Sequence, residues 1–368
     1  MARKWLRWLP AAIVPVVVVG GAMAFPLQAE ADIQLPDKTP AEVLAMIGNS
    51  TVRDFSGTVE QTSQLGLPQI PSSMDPGSST LSALDALTSN HTARVYVDGP
   101  QKVRVQVMTS LAEQDFVRNG SDIWAYNSKD NTATHTILSG KGAGAKSDSA
   151  KPHGSGKATT PAQLAERFIT AVTPSTSVTV GKNTKVAGRS AYDLVLRPRT
   201  STTLVGSVSI AVDAKTGLPL SVAVMAKGQK DAALSVAFTQ LSLQAPSASL
   251  FTFSPPSGAK VTERTVSPGI GHRTTPKHPG AVTPDPDAKA NAKQVSTTGS
   301  GWSTIVSAPA SALPSELTGS SLLSSATTKV TGGRLLSTSL LNVLFTTDGR
   351  VFAGSVPLAQ LQAAANAK

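Results

Sequence analysis

The chain of 368 residues contains no cysteine. That excludes disulfides, thiolate metal sites, a cysteine nucleophile and the acylated cysteine of a lipoprotein. Aromatic residues make up only 4% of the chain, so its 40% apolar content must be carried by Val, Ala and Leu. Histidines are few: His91, His135, His153, His272 and His278, with no pair at metal-ligand spacing on an expected element. No Gly-x-Ser-x-Gly elbow is present. Gly140 to Ser147 approaches a phosphate loop, but Ala145 stands where the motif needs glycine. Asp115, Asp122 and Asp130 fall near one hairpin, with no nucleophile or base to complete a catalytic set. The sequence therefore predicts neither an enzyme nor a cofactor nor a metal site. The net charge is +10, but the basic residues are scattered and no basic helix or aromatic-studded groove collects them. Nucleic acid is not an expected partner.

What is present begins with an export signal. Arg3, Lys4 and Arg7 precede an apolar run from Leu9 to Phe25, and Ala29-Glu30-Ala31 has the small-x-small pattern of a signal-peptidase site. The expectation is a signal peptide over 1–31, or an N-terminal membrane anchor if uncleaved. Either way the body lies outside the cytoplasm, in the periplasm or cell envelope.

Thr39-Pro40-Ala41-Glu42 predicts a capped helix with Val43, Leu44 and Ile47 on its apolar face. Thr160-Pro161-Ala162-Gln163 repeats the device, with Leu164, Phe168 and Val172 at helical spacing until Pro174. Most of the rest between Phe55 and Phe253 alternates with period two. Val103, Val105 and Val107 oppose Lys102, Arg104 and Gln106. Tyr192, Leu194 and Leu196 form another row, and Val208, Ile210 and Val212 lead through an Asp213 to Gly217 turn to Leu218, Leu220, Val222 and Val224. Leu234, Val236 and Phe238 follow, then Leu241 and Leu243. This is an antiparallel meander with one apolar face. Phe116 to Asn127 predicts a hairpin over Asn119-Gly120, with Trp124 and Tyr126 on one side of its second arm.

Two insertions interrupt the meander. Residues 63–90 are Ser-, Pro- and Gly-rich yet carry Leu81, Leu84 and Leu87 at helical spacing, as a loop tucked onto the core or a lid would. Residues 140–159 lack apolar bulk and are expected to be disordered. A Pro-, Thr- and Lys-rich linker is expected over 262–300. A small region over 301–368 follows, with a hairpin from Leu335 to Phe345 through Thr347–Arg350 to Val356 and a helix from Pro357 to Ala365. So small a piece is expected to dock on the main domain or on a partner, with folding alone as the alternative.

FVRNGSDIWAYN resembles the Asp-Gly-x-x-x-Trp-x-Tyr strand pair of outer-membrane lipoprotein carriers of the LolA type, with Asn119 in place of Asp. Phe251-Thr-Phe253-Ser-Pro255-Pro256-Ser-Gly258 is similar to the ending of the same domain. The resemblance covers 37–261. It implies an α+β, mainly β fold: a curved, unclosed antiparallel half-barrel wrapped over two helices. It also implies an apolar cavity for a lipid or lipoprotein acyl chain, with Val59, Val103, Val105, Trp124, Tyr126, Leu194, Val208 and Ile210 on the cavity side. The same fold serves RseB-like envelope sensors, which implies the alternative of a membrane-protein partner, such as an anti-sigma factor, bound through 301–368. Asp98-Gly99-Pro100 departs from the carriers, which place an arginine before that proline. A cell-envelope structural module is the third reading.

Overall fold

A computed structural model describes residues 34–66, 89–108, 112–139, 161–266, 295–313 and 326–367. The signal segment, the Leu81, Leu84 and Leu87 positions and the 140–159 insertion lie outside them.

The first helix, α1 (Pro40–Gly48), starts where its capping box requires. The Thr39 backbone N–H donates to Glu42 Oε2 at 2.7 Å, and the Glu42 N–H donates to Thr39 Oγ1 at 3.3 Å. The second, α2 (Pro161–Val172), packs on α1. The strands β1 (Asp54–Ser63), β2 (His91–Asp98), β3 (Lys102–Met108), β4 (Glu113–Asn119), β5 (Asp122–Asn127) and β6 (Thr132–Leu138) form one meander. After α2, β7 (Thr176–Val180), β8 (Thr184–Val186), β9 (Arg189–Pro198), β10 (Val205–Asp213), β11 (Pro219–Ala226) and β12 (Ala232–Ser242) form a second. The meanders join through antiparallel pairing of β1 with β12, giving one open, curved sheet that ends at β7 on one side and, beyond β6, at β13 (Lys260–Val266) on the other.

Three features depart from the sequence reading. The hairpin turns on Gly120-Ser121, not Asn119-Gly120: Asn119 pairs with Asp122 as the last strand residue, and only Gly120 has positive φ (64°), as in a type II′ turn. Leu234 to Ser242 is one strand. Its alternation breaks between Phe238 and Leu241 because β1 and β12 shift register at Thr58/Val59, a bulge that flips the phase. Finally, β13 runs parallel to β6. The stretch from Gln244 to Ala259 is long enough to cross the sheet before pairing, which a parallel partner requires.

The main core lies between α1 and β9–β11. Val43, with no exposed surface, packs among Tyr192, Leu194, Leu196, Val208, Val212 and Val224. The Asp213 turn presses against α1. Gly217 has φ 72°, and a Cβ there would strike the Met46 carbonyl oxygen. Asp213 holds the turn by accepting from the Thr216 N–H at 2.7 Å and the Lys215 N–H at 3.0 Å, while Arg189 grips the same carboxylate.

Beyond residue 294 a second sheet forms from β14 (Ser296–Thr298), β15 (Ile305–Pro309), β16 (Thr327–Val330), β17 (Gly333–Ser337), β18 (Asn342–Thr346) and β19 (Arg350–Gly354), with helix α3 (Leu358–Asn366) against it. The expected first arm, Leu335 to Phe345, is two strands divided at Thr338–Leu341. The Thr338 hydroxyl accepts from the Leu340 and Leu341 N–H groups, which turns the chain there. This region has its own core of Ile305, Leu335, Leu344, Phe352, Val356 and Leu361. It also docks on the large sheet. Trp302 enters the main core, and its indole N–H donates to the buried Thr176 hydroxyl at 2.8 Å. The Leu204 N–H and Thr203 hydroxyl both donate to the Ser355 carbonyl at 2.8 Å. Ser339 donates to the Leu65 and Gln64 carbonyls just past β1.

Candidate functional site

Directly paired residues in an antiparallel ladder share a face, so the register divides the candidate residues. Phe55, Val97, Val103 and Arg118 form one rung across β1–β4. Gly57, Val95, Val105 and Phe116 form the next, and Val59, Ala93, Val107 and Gln114 the third. Gln61 pairs with Val236, Val236 with Val222, Val222 with Ile210 and Ile210 with Leu194, which carries the same face into the second meander. Val59, Val103, Val105, Leu194, Val208 and Ile210 thus share a face.

Trp124 and Tyr126 do not. The two-residue Gly120-Ser121 turn pairs Trp124 with Val117 and Tyr126 with Asp115. These in turn pair with Arg104 and Gln106, the even-numbered residues of β3. One residue of phase separates them from Val103 and Val105, so the eight candidates lie on opposite sides of the sheet.

The aromatic side is covered by the chain itself. A short 3-10 turn, Ala248–Phe251, lies over β3 and β4. Phe251 is 1% exposed, with the Lys102 ammonium over its ring. Phe253 packs at 5.4 Å from Trp124 and 5.8 Å from Tyr126 between ring centroids, and His135 stacks on the Trp124 ring at 4.1 Å. The Arg104 guanidinium ties the strap down, donating to the Leu250 carbonyl at 3.0 Å and forking onto Asp115. Burial pushes the Asp115 carboxyl up, against the pull of Arg104. His135 Nε2 lies 3.0 Å from Asp122, and Glu263 of β13 approaches its other nitrogen at 3.8 Å. The two sequence motifs, far apart in the chain, therefore meet as a single aromatic stack. Dispersion and ring-quadrupole contacts account for its composition without a ligand.

The opposite, valine-bearing side differs between its halves. Over β9–β11 it is closed by α1, so Leu194, Val208 and Ile210 are part of the main core. Over β2–β4 the cover among the described residues is uneven: Ala93, paired with the buried Val59, has no exposed surface. Val95, Val97, Val103, Val105 and Val107 are half-buried and belong to none of the three clusters of buried apolar side chains. Phe116 is 41% exposed. Along β4 the contrast is direct: Asp115 and Val117 under the strap are buried, while Gln114 and Phe116 on the other side are exposed. Val95, Val97, Phe116 and Arg118 were not among the sequence candidates. The alternation of Val95 and Val97 in ARVYVDG was the signal that could have found the first two.

Among the described residues no group of three or more His, Cys, Asp or Glu could hold a metal ion, and no helix is long and apolar enough to cross a membrane.

No protein-family model matches the chain, and no curated protein matches it. Among solved structures, the MucB of a Pseudomonas aeruginosa MucA/MucB complex is similar with 20% identity and a TM-score of 0.40, over 88% of this chain and 94% of that one. A LolA superfamily protein from Nitrosomonas europaea is similar with 12% identity and a TM-score of 0.24, over 59% of this chain and 99% of that one. An uncharacterized conserved protein from Thermus thermophilus shares 12% identity with a TM-score of 0.35, over 61% and 98%. In structure, then, the chain is similar to MucB and to a LolA-superfamily protein, at low sequence identity.

Proposed function

We propose that this chain is an extracytoplasmic lipid-binding protein of the LolA-like kind, which receives the acyl chain of a lipid or lipoprotein on the open valine face. One observation carries the reading. An apolar surface of Val95, Val97, Val103, Val105, Val107 and Phe116 spans β2–β4, on the same face that α1 seals elsewhere, and the described residues leave it part-exposed. Each methylene moved from water onto such a surface contributes about 0.8 kcal/mol. Val103 and Val105 are proposed as ligand contacts, joined by Val95, Val97 and Phe116. Trp124 and Tyr126 act from behind, as the aromatic stack that stiffens the strands carrying those valines.

The test is to purify the protein gently from its native envelope and analyse an organic extract by mass spectrometry. Bound lipid is expected from the wild-type chain, and Val105→Asp, which places a charge in the middle of the stripe, is expected to abolish it. Recovery of equal lipid from both, or of none from either, rejects the reading.

A second reading, an RseB-like sensor that contacts a membrane protein such as an anti-sigma factor, is favoured by a different observation. Ser339 of the small sheet bonds the Gln64 and Leu65 carbonyls, at the end of the strand that carries Val59. A change at the valine face thus has a short route along β1 to the docked C-terminal region. Crosslinking of the same membrane partners with and without residues 301–368 distinguishes the two readings.

A further inference from the structure

We propose that Arg118 is the head-group subsite of the valine stripe and that the ligand is a long-chain fatty acid held by its carboxylate. The proposal rests on the lipid-binding reading above and adds the chemical class of the ligand. Arg118 pairs with Val103 on one side and Ile123 on the other, which puts it within the rung that runs from Phe55, Val97 and Val103 on to Ile123. It is the one formally charged residue at the β1–β5 positions that share the stripe's face.

Its side chain is part-buried and oriented. Nε donates to the Gly120 carbonyl at 3.2 Å, and the terminal guanidinium nitrogens meet no protein acceptor among the described residues. The acids at the same end of the sheet point to the other side and are engaged there. Asp98 pairs with Lys102 at 2.6 Å, Asp54 accepts from the Gly99 N–H at 3.0 Å, and Asp122 holds His135 at 3.0 Å. A guanidinium held at Nε, with no counter-carboxylate among the described residues, at the margin of a part-exposed apolar surface, fits a planar carboxylate in two-point contact.

The size of the stripe limits the ligand further. Val103 to Val107 runs about 13 Å along the strand, and the three strands β2–β4 span about 10 Å across. That is room for one folded or diagonal acyl chain, and Arg118, the one cation of that face on β1–β5, matches a single negative charge; Lys260 and Arg264 of the same face lie three strands away on β13. A two-chain phospholipid would overrun the surface.

The experiment uses the full chain, delipidated, with cis-parinaric acid as fluorescent probe, displaced in turn by palmitic acid and by hexadecanol. These competitors share the hydrocarbon and differ in the charged head. A charge-assisted contact of this kind gives the acid a preference of about tenfold to a hundredfold. Arg118→Gln is expected to abolish that preference while leaving hexadecanol binding unchanged, and Arg118→Lys to retain part of it. Circular dichroism melting confirms that both variants are folded.

Equal displacement by acid and alcohol overturns the head-group assignment while leaving the lipid-binding reading intact. So does a preference that survives Arg118→Gln, or phosphatidylglycerol displacing the probe at lower concentration than palmitic acid. Failure of the probe to bind at all removes both.

Discussion

Replacing Trp302 with alanine probes how the two sheets are joined. The indole is 9% exposed and packs with Val43, Tyr192 and Val224 in the main core, although it comes from the segment that leads into the small sheet. Removing a buried Trp side chain costs about 3–5 kcal/mol, from lost transfer energy and the cavity left behind. Of this, about 1 kcal/mol belongs to the N–H bond to Thr176 Oγ1, a hydroxyl on a residue that is itself 1% exposed. Trp302→Phe keeps one of the two fused rings but loses the donor and some buried volume, so it should cost about 1–3 kcal/mol. Other links remain, among them Leu204 and Thr203 to Ser355, Ser339 to Leu65, the Thr202–Ser303 hydroxyl pair and Leu340 against the main core, but none fills the volume of the indole. The assay is urea unfolding followed by far-ultraviolet circular dichroism, because the substitution removes a fluorophore. Trp302→Ala should lower the midpoint and split the curve, the small sheet melting apart from the large one. A Trp302→Phe/Thr176→Val double-mutant cycle should give a coupling of about 1 kcal/mol. An alanine variant within about 0.5 kcal/mol of wild type, the range of ordinary surface substitutions, would refute the reasoning.

Two further outcomes follow from the Asp213 turn. Gly217→Ala puts a Cβ into a left-handed conformation and against the Met46 carbonyl, so it should cost at least about 1–2 kcal/mol and loosen α1; an unchanged melting temperature counts against the close approach. For Asp213 itself, burial raises the carboxyl, but the donors from Arg189 and Thr216 outweigh it and hold it below the ordinary 3.8. With the folded value depressed, its stabilisation is complete above the ordinary value and is lost as pH falls through the depressed one. Urea midpoints from pH 7 to pH 2 should therefore converge for wild type and Asp213→Asn in acid; a gap that stays constant across that range rejects the assignment.

The elements were largely legible in the sequence because their signals are local. The Thr39–Glu42 box places α1 at Pro40–Gly48, and the alternation of Val103, Val105 and Val107 marks β3, which runs from Lys102 to Met108. The row of Tyr192, Leu194 and Leu196 reads correctly as a buried face for the same reason. The candidate site was legible only in part. Alternation within a strand says which residues travel together, but it does not say which of two sides a strand presents relative to its neighbours. That depends on the number of residues in each turn. The Gly120-Ser121 turn sent Trp124 and Tyr126 to the side away from Val103 and Val105.

The order of residues along the chain is enough to dictate the period-two strands, the caps, the glycine turns and the presence of a large apolar face. Each of these depends on residues within a few positions of one another. What covers each side of the sheet is settled in three dimensions. Phe253 reaches Trp124 and Tyr126 from far along the chain, and α1 and Trp302 close the second meander, while among the described residues the valines of β2–β4 and Arg118 are only part-buried. Covering a sheet is a non-local event, set by register and by where a crossing segment lands, and neither is written in the spacing of neighbouring side chains.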